Sequence, residues 1–189
     1  MGHVESVLTL LEERPATLGG ARLLCVDGPG GSGKTTLARA VAERTGAHVV
    51  HMDDLYDGWS GLPRVDAQVA TLLRPLAEGR PGRYRHYDWD ADAWAGTVEV
   101  DHPGPGGLLV LEGVASGSRA CADLHTVLVW VEAPRDVRLA RGLARDGAHL
   151  REVWLGWQAS EDEHFAHERT RERADLVVSG TASRPTPAE

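Results

Sequence analysis

The stretch Gly28-Pro29-Gly30-Gly31-Ser32-Gly33-Lys34-Thr35-Thr36 constrains this chain more than any other. It fits the spacing G-x-x-x-x-G-K-[ST], which builds a phosphate-binding loop when a strand precedes it and a helix follows. Both flanks are present. Ala21 to Asp27 reads as a short buried strand, and Leu37 to Arg44 are good helix formers with Gly46 placed to end the helix. Glycines let successive amides turn around an anion without a Cβ in the way, and the helix N-terminus adds a partial positive charge. On this reading Gly28, Gly30, Gly31, Ser32, Gly33, Lys34, Thr35 and Thr36 bind the phosphates of ATP. Lys34 reaches the β- and γ-phosphates, and the Thr35 hydroxyl is a ligand for Mg²⁺. Lys34 is the only lysine in a chain with 20 Lys and Arg residues. A sequence that uses arginine elsewhere keeps a compact ammonium here, where a point charge among phosphates suits the site.

Length and charge bound the rest. The 189 residues suggest one domain over about 1–180, with a disordered proline-bearing tail over 181–189. A formal net charge of −8 argues against nucleic-acid or anionic-membrane partners. Cys25 and Cys121 have neither metal-like spacing nor a disulfide framework, which suits a reducing cytosol. The start Met1-Gly2-His3-Val4-Glu5 lacks a basic leader, and no apolar run is long enough to span a bilayer, so a cytoplasmic protein is expected. Oligomeric state is not encoded in any feature of this kind.

Taken in order, apolar strands alternate with helices. An amphipathic helix over 4–13 leads into the first strand, and Ala47 to Met52 reads as a second strand that runs into Asp53, Asp54, Leu55 and Tyr56. Val65 to Ala77 carries a helical stripe of Val69, Leu72, Leu73 and Leu76. Tyr84 to Trp94 reads as loop or short strand and Val98 to Val100 as a small edge strand. Leu108 to Leu111 and Thr126 to Val131 are apolar strands, 136–146 is helical, Leu150 to about Arg173 is one longer helix, and Asp175 to Val178 is a final strand. Such alternation means a parallel sheet covered on both faces, with ligands beyond the carboxyl ends of its strands. Asp27, Asp53, Glu112 and Glu132 occupy those ends.

Asp53 or Asp54 stands where a base could take the proton from a hydroxyl attacking the γ-phosphorus. Glu112 follows four apolar residues, the place for an acid that orients Mg²⁺. Arg135, Arg138, Arg141 and Arg145 share one helix face, either solvated or serving as a mobile lid over the transferring group, with Val137, Ala140 and Ala144, together with Leu139 and Leu143, packing inward. Tyr84, Tyr87, Trp89 and Trp94 lie among Asp88, Asp90 and Asp92, as either an acceptor pocket or core. Trp154, Trp157 and Phe165 read as core, and His48 and His51 as plain strand residues.

Several of these motifs together resemble the uridine/cytidine kinase branch of P-loop kinases. They are Asp27 to Thr36, Met52-Asp53-Asp54-Leu55-Tyr56, Tyr87-Asp88-Trp89 with Asp92-Ala93-Trp94, Leu111-Glu112-Gly113, and Asp136 to Asp146. The resemblance implies a three-layer α/β P-loop NTPase fold with a parallel five-stranded core sheet, helices on both faces and an arginine-bearing lid helix over about 135–150. It makes 53–101 the acceptor-binding insertion, although so compact a chain leaves little room for the family's acceptor-side hairpin. It also implies that Asp53 is the catalytic base, helped by Lys34, Arg141 and Arg145. Tyr56, Tyr87, Asp88 and Trp89 would bind the nucleoside, Asp88 through the ribose hydroxyls. Arg138 would touch the nucleotide phosphates, and Thr35 and Glu112 would hold Mg²⁺. The expected activity is transfer of the γ-phosphate of ATP to the 5′-hydroxyl of a pyrimidine nucleoside. Rival acceptors are a nucleoside monophosphate, a sugar acid or an antibiotic-like metabolite. Arg64, Arg74, Arg80, Arg83 and Arg85 are available to meet a second phosphate. A rival of another class is a nucleotide-dependent regulatory protein with no acceptor.

Overall fold

The computed structural model describes residues 2–181, so the tail over 182–189 lies outside the described residues. The elements run α1 (His3–Glu13), β1 (Arg22–Asp27), α2 (Lys34–Thr45), β2 (His48–His51), α3 (Val65–Ala77), β3 (Gly82–Asp88), β4 (Ala93–Val100), β5 (Leu108–Glu112), β6 (Val127–Glu132), α4 (Arg135–Asp146), α5 (Arg151–Glu168), α6 (Thr170–Arg173) and β7 (Leu176–Ser179). Five strands form one sheet in the order β2-β5-β1-β6-β7, parallel at every pairing.

Alternation along the central strands decides the layers. In β1, Leu23 and Cys25 join one buried cluster while Leu24 and Val26 join a second. β5 splits the same way, with Leu109 and Leu111 on one side and Val110 on the other. Val7 and Leu11 of α1 and Leu37, Ala38 and Val41 of α2 cover the second face. The stripe of α3, together with Trp154 and Trp157 of α5, covers the first. Burying each such leucine or valine contributes roughly 1.5–3 kcal/mol, so the sheet is stable only as the middle of three layers.

The segment after α3 departs from expectation. β3 and β4 pair antiparallel as a two-stranded hairpin outside the core sheet, so the compact chain does accommodate one. Its signal was weak for a physical reason. A register shift between His86 and Tyr87 breaks the period-two pattern of β3, and most of β4 is exposed, with no apolar face to betray it. The long helix expected over 150–173 is also interrupted. Arg169 adopts φ 51° and separates α5 from α6. Left-handed arginine leaves no glycine signature to read.

Candidate active site

Beyond the carboxyl ends of β1, β2 and β5 opens a cavity of about 1170 Å³. Its floor is the glycine loop: Gly30, Gly31, Gly33, Lys34, Thr35 and Thr36 line it, while Gly28 and Ser32 are buried behind. Gly31 has φ 75°, and a Cβ there would meet the Arg138 carbonyl oxygen at 2.6 Å, so the loop holds this path only with glycine. Among the described residues, the amides of Gly31, Gly33, Lys34, Thr35 and Thr36 donate to no protein acceptor. Five unspent N–H groups at the start of α2 form a ready anion site. Lys34 is buried, and its ammonium donates to the Pro29 carbonyl at 3.0 Å, which folds the side chain back along the loop.

The β2 and β5 ends bring the acids to the same place. The Thr35 hydroxyl donates to Glu112 Oε1 at 3.1 Å, so the two residues expected at Mg²⁺ are neighbours. A hydroxyl and a carboxylate side by side are the hard oxygen donors that Mg²⁺ prefers. His51 Nδ1 lies 2.5 Å from the same Glu112 oxygen, and this hydrogen bond raises the imidazole's pKa above its ordinary value. His51 is thus more than a strand residue, because it orients Glu112. Asp53 is exposed where it lines the cavity. Desolvation by the protein around that cavity, then the charge of Glu112, pushes its carboxyl above the usual range against the pull of Lys34, Arg145 and His51. Its carboxylate makes no hydrogen bond among the described residues. Asp54 sits elsewhere, 3.5 Å from the Tyr84 hydroxyl and 3.7 Å from His86, outside the cavity lining.

The opposite end of the cavity is aromatic. Tyr56, Trp59, Trp89, Trp154 and Trp157 line it, contributed by three separate segments. Trp59 packs edge-on against Trp89 at 5.4 Å, Trp154 at 5.7 Å and Trp157 at 5.9 Å between ring centroids. Three of the four indole N–H groups are spent internally: Trp89 donates to the Asp53 carbonyl, Trp154 to Asp146 and Trp157 to Glu161. What these three offer the cavity is ring surface. Trp154 and Trp157 belong to the core as expected, and also to this wall. Phe165 packs against Trp130 away from it.

Two expected acceptor residues need correction. Asp88 does not face the cavity; its Oδ1 accepts the amides of Asp90 at 2.9 Å and Ala91 at 3.0 Å, capping the hairpin turn. Tyr87 is buried, gives its hydroxyl to Asp92 at 2.6 Å and packs between Trp89 and Trp94. Both hold the hairpin tip rather than a ligand. Asp90, two residues on, lines the cavity with no side-chain partner among the described residues. Trp89 and Tyr56 line the cavity, with the Tyr56 hydroxyl donating to the Val114 carbonyl at 2.7 Å.

The arginine face of α4 also differs from a free lid. Arg138 is buried and paired with Glu161 at 3.2 Å, so it is a strut of the core, not a phosphate contact. Arg138 and Gly142 are the buried positions of α4; Leu139 and Leu143 pack against the core as expected, while Ala140 and Ala144 are exposed. Two acidic partners come from α5, Asp162 for Arg135 and Glu161 for Arg138, while Arg145 pairs with Asp146 at the end of α4 itself. Arg141 donates to the Gly31 and Gly180 carbonyls at 3.0 and 3.1 Å, fastening α4 to the phosphate loop. Arg141 and Arg145 both line the cavity.

Of the remaining strand-end acids, neither faces the cavity. Glu132 pairs with Arg171 at 2.8 Å. Asp27 is fully buried and accepts the amides of Gly28, Ala115 and Gly117 at 2.6, 3.0 and 2.9 Å, which ties the loop to the turn after β5. Burial pushes its carboxyl up to about 6 against those three donors.

Parallel sheet, glycine loop between β1 and α2, and acids at the β2 and β5 ends decide the fold class. The chain has a P-loop NTPase fold. Solved structures agree over nearly the whole chain. A possible uridine kinase from Bacillus stearothermophilus matches with a TM-score of 0.67 and 20% identity, covering 93% of this chain and 97% of that one. A putative fructose transport system kinase from Silicibacter sp. matches at 0.64 and 23%, covering 94% and 98%. Shikimate kinase from Bacteroides thetaiotaomicron matches at 0.52 and 15%, covering 87% and 90%. Residues 24–58 match the sequence profile of the ATPase family associated with various cellular activities. No curated protein sequence matches the chain.

Proposed function

We propose that this protein is an ATP-dependent kinase that phosphorylates a hydroxyl of a small, flat-ringed acceptor, with the 5′-hydroxyl of a pyrimidine nucleoside as first choice. One observation carries the reading. A single cavity joins a ring of unspent loop amides to an aromatic wall, with the unpartnered Asp53 carboxylate lining the same space. Its volume suits two bound molecules, one of them a nucleotide. Lys34 and the amides of residues 31 and 33–36 hold the phosphates, and Thr35 and Glu112 hold Mg²⁺, which supplies charge neutralisation when bound. Asp53 accepts the proton of the acceptor hydroxyl as that oxygen bonds to the γ-phosphorus and the bond to the departing ADP breaks. Arg145 supplies positive charge beside Asp53 and Glu112. The rings exclude water, which would otherwise take the phosphoryl group.

A neutral acceptor suits the cavity better than a phosphorylated one. Arg64, Arg74, Arg80 and Arg83 are paired with Asp57, Asp123, Glu78 and Glu99, and Arg85 stacks on Trp94. None of the five lines the cavity. The neighbours named for uridine, fructose and shikimate chemistry share the fold at low identity, so the acceptor must be found directly. Purified protein with Mg²⁺-ATP and pooled nucleosides, nucleotides, sugars and aminoglycosides should yield one product heavier by one phosphate. A nucleotide-dependent regulator would bind ATP and phosphorylate nothing in the pool, and that result would sink the kinase reading.

A further inference from the structure

Glu161 of α5 is 1% exposed, and no step above uses it. A carboxylate taken that far out of water is costly unless its lone pairs are met. Three donors meet them. Oε1 accepts the Gly30 amide at 2.6 Å and the Trp157 indole N–H at 2.6 Å, while Oε2 accepts from Arg138 at 3.2 Å. These donors belong to the phosphate loop, the aromatic wall and α4. One oxygen is therefore shared between the loop and the wall. There is no slack in the arrangement: a Cβ at position 30 would come 2.9 Å from that oxygen and 3.1 Å from the Trp154 ring. Trp157 in turn packs edge-on against Tyr56 at 5.0 Å and Trp59 at 5.9 Å between centroids, and both rings line the acceptor end.

We infer that Glu161 is a positioning residue that couples the nucleotide end of the cavity to its acceptor end, through the Gly30 amide and the Trp157 indole. Two donors on one acceptor oxygen compete for it. A movement of the loop that loosens the Gly30 bond tightens the bond from Trp157 and turns the indole against Tyr56 and Trp59. The coupling runs in both directions, so a ligand against the wall alters the loop by the same free energy. Its place in the fold explains why an acid is tolerated beside a loop built for anions: Arg138 balances the charge, and the oxygen serves as a joint.

The inference rests on reading residues 28–36 as a nucleotide site, and the test separates the two. The full chain is labelled with ¹⁵N, and the indole N–H signals of its six tryptophans are followed during titration with Mg²⁺-ADP. Trp157→Phe assigns the relevant signal, and calorimetry on the same samples establishes binding. The Trp157 signal should move as Mg²⁺-ADP saturates the protein. In Glu161→Gln it should sit elsewhere in the free protein and lose its response while ADP still binds. A wild-type Trp157 signal unmoved by bound Mg²⁺-ADP overturns the inference, as does a Glu161→Gln signal that responds like wild type. The wild-type arm stands alone should Glu161→Gln not fold. Calorimetry that detects no Mg²⁺-ADP binding is a different result, and it removes the nucleotide site together with this inference.

Discussion

Asp53→Asn separates chemistry from architecture in this site. The Asp53 carboxylate has no hydrogen-bond partner to lose among the described residues, and the contact the residue does make uses its carbonyl, which accepts from Trp89 at 2.9 Å. An asparagine of equal size keeps that contact, so folding and ATP affinity should stay near wild type. Losing a general base costs about 10²–10⁴ in rate, or roughly 2.7–5.5 kcal/mol in barrier. The assay is phosphorylation of the acceptor found in the screen, with ATP binding measured separately by calorimetry. Turnover within about tenfold of wild type would fall short of any general-base contribution and dismiss Asp53 as the base.

The same carboxylate predicts a pH signature whose sign is fixed by its surroundings. Desolvation and the charge of Glu112 hold its carboxyl above the ordinary range. A base works only when deprotonated, so turnover should fall on the acid side at a pH higher than an exposed aspartate would give. Glu112→Gln removes a negative neighbour, which eases ionisation of Asp53 and should move that acid limb to lower pH, whatever it does to the plateau. An acid limb that moves upward, or an unshifted one, contradicts the placement of these two groups.

Other substitutions test the corrected assignments. Arg138→Ala leaves Glu161 buried without its ion pair and should lower stability by about 3–5 kcal/mol, seen as a lower Tm. Arg145→Ala, at a half-exposed pair, should leave Tm nearly unchanged and reduce kcat; equal Tm losses would refute the distinction. Asp90→Ala should raise KM for the acceptor with kcat preserved, whereas Asp88→Ala should loosen the hairpin turn and lower Tm; the reverse pattern would restore Asp88 as the ligand. Asp27→Asn puts an amide NH₂ against backbone N–H donors and should cost about 1–3 kcal/mol. Because burial pushes the Asp27 carboxyl up to about 6 in the folded protein, above its ordinary 3.8, ionisation burdens the folded wild type as pH rises between those values. The Tm gap between wild type and Asp27→Asn should therefore narrow from pH 4 to 6, and a widening gap would contradict it.

The nucleotide end was legible in the sequence because its chemistry is local. Nine consecutive residues carry the glycines, the lysine and the hydroxyl, and the flanking apolar run and helix formers fix their geometry. Glu112 closes the apolar strand β5 and Asp53 sits in the turn just past β2, and parallel strands deliver their carboxyl ends to one edge, so both positions could be read from the sequence. The sheet itself followed from the alternation of apolar runs with helical stripes. Even the failure at α4 has a local cause. Counting arginines on one face gives the stripe but not its direction. Arg138 alone of the four turns inward, because the acid that satisfies it lies more than twenty residues away on α5, as does the partner of exposed Arg135.

The acceptor end was not legible, and the reason sets what can be asked of it. Its wall is assembled from Tyr56 and Trp59 after β2, Trp89 and Asp90 at the hairpin tip, and Trp154 and Trp157 on α5. No segment contains enough of it to form a motif, and Trp154 and Trp157 obey the same periodicity whether they face core or cavity. Here they face both. Trp89, Trp154 and Trp157 present little but apolar surface, because their N–H groups are already committed within the protein. A wall of that kind selects by shape and flatness, and loses only about 1–3 kcal/mol against a ligand differing by a methylene. Sharper discrimination has to come from hydrogen-bonding groups that are still free, and on the acceptor side the carboxylates of Asp53 and Asp90 face the cavity without a side-chain partner among the described residues. An acceptor that offers donors to both, on a flat ring between them, meets that requirement; one that offers an anion to either does not.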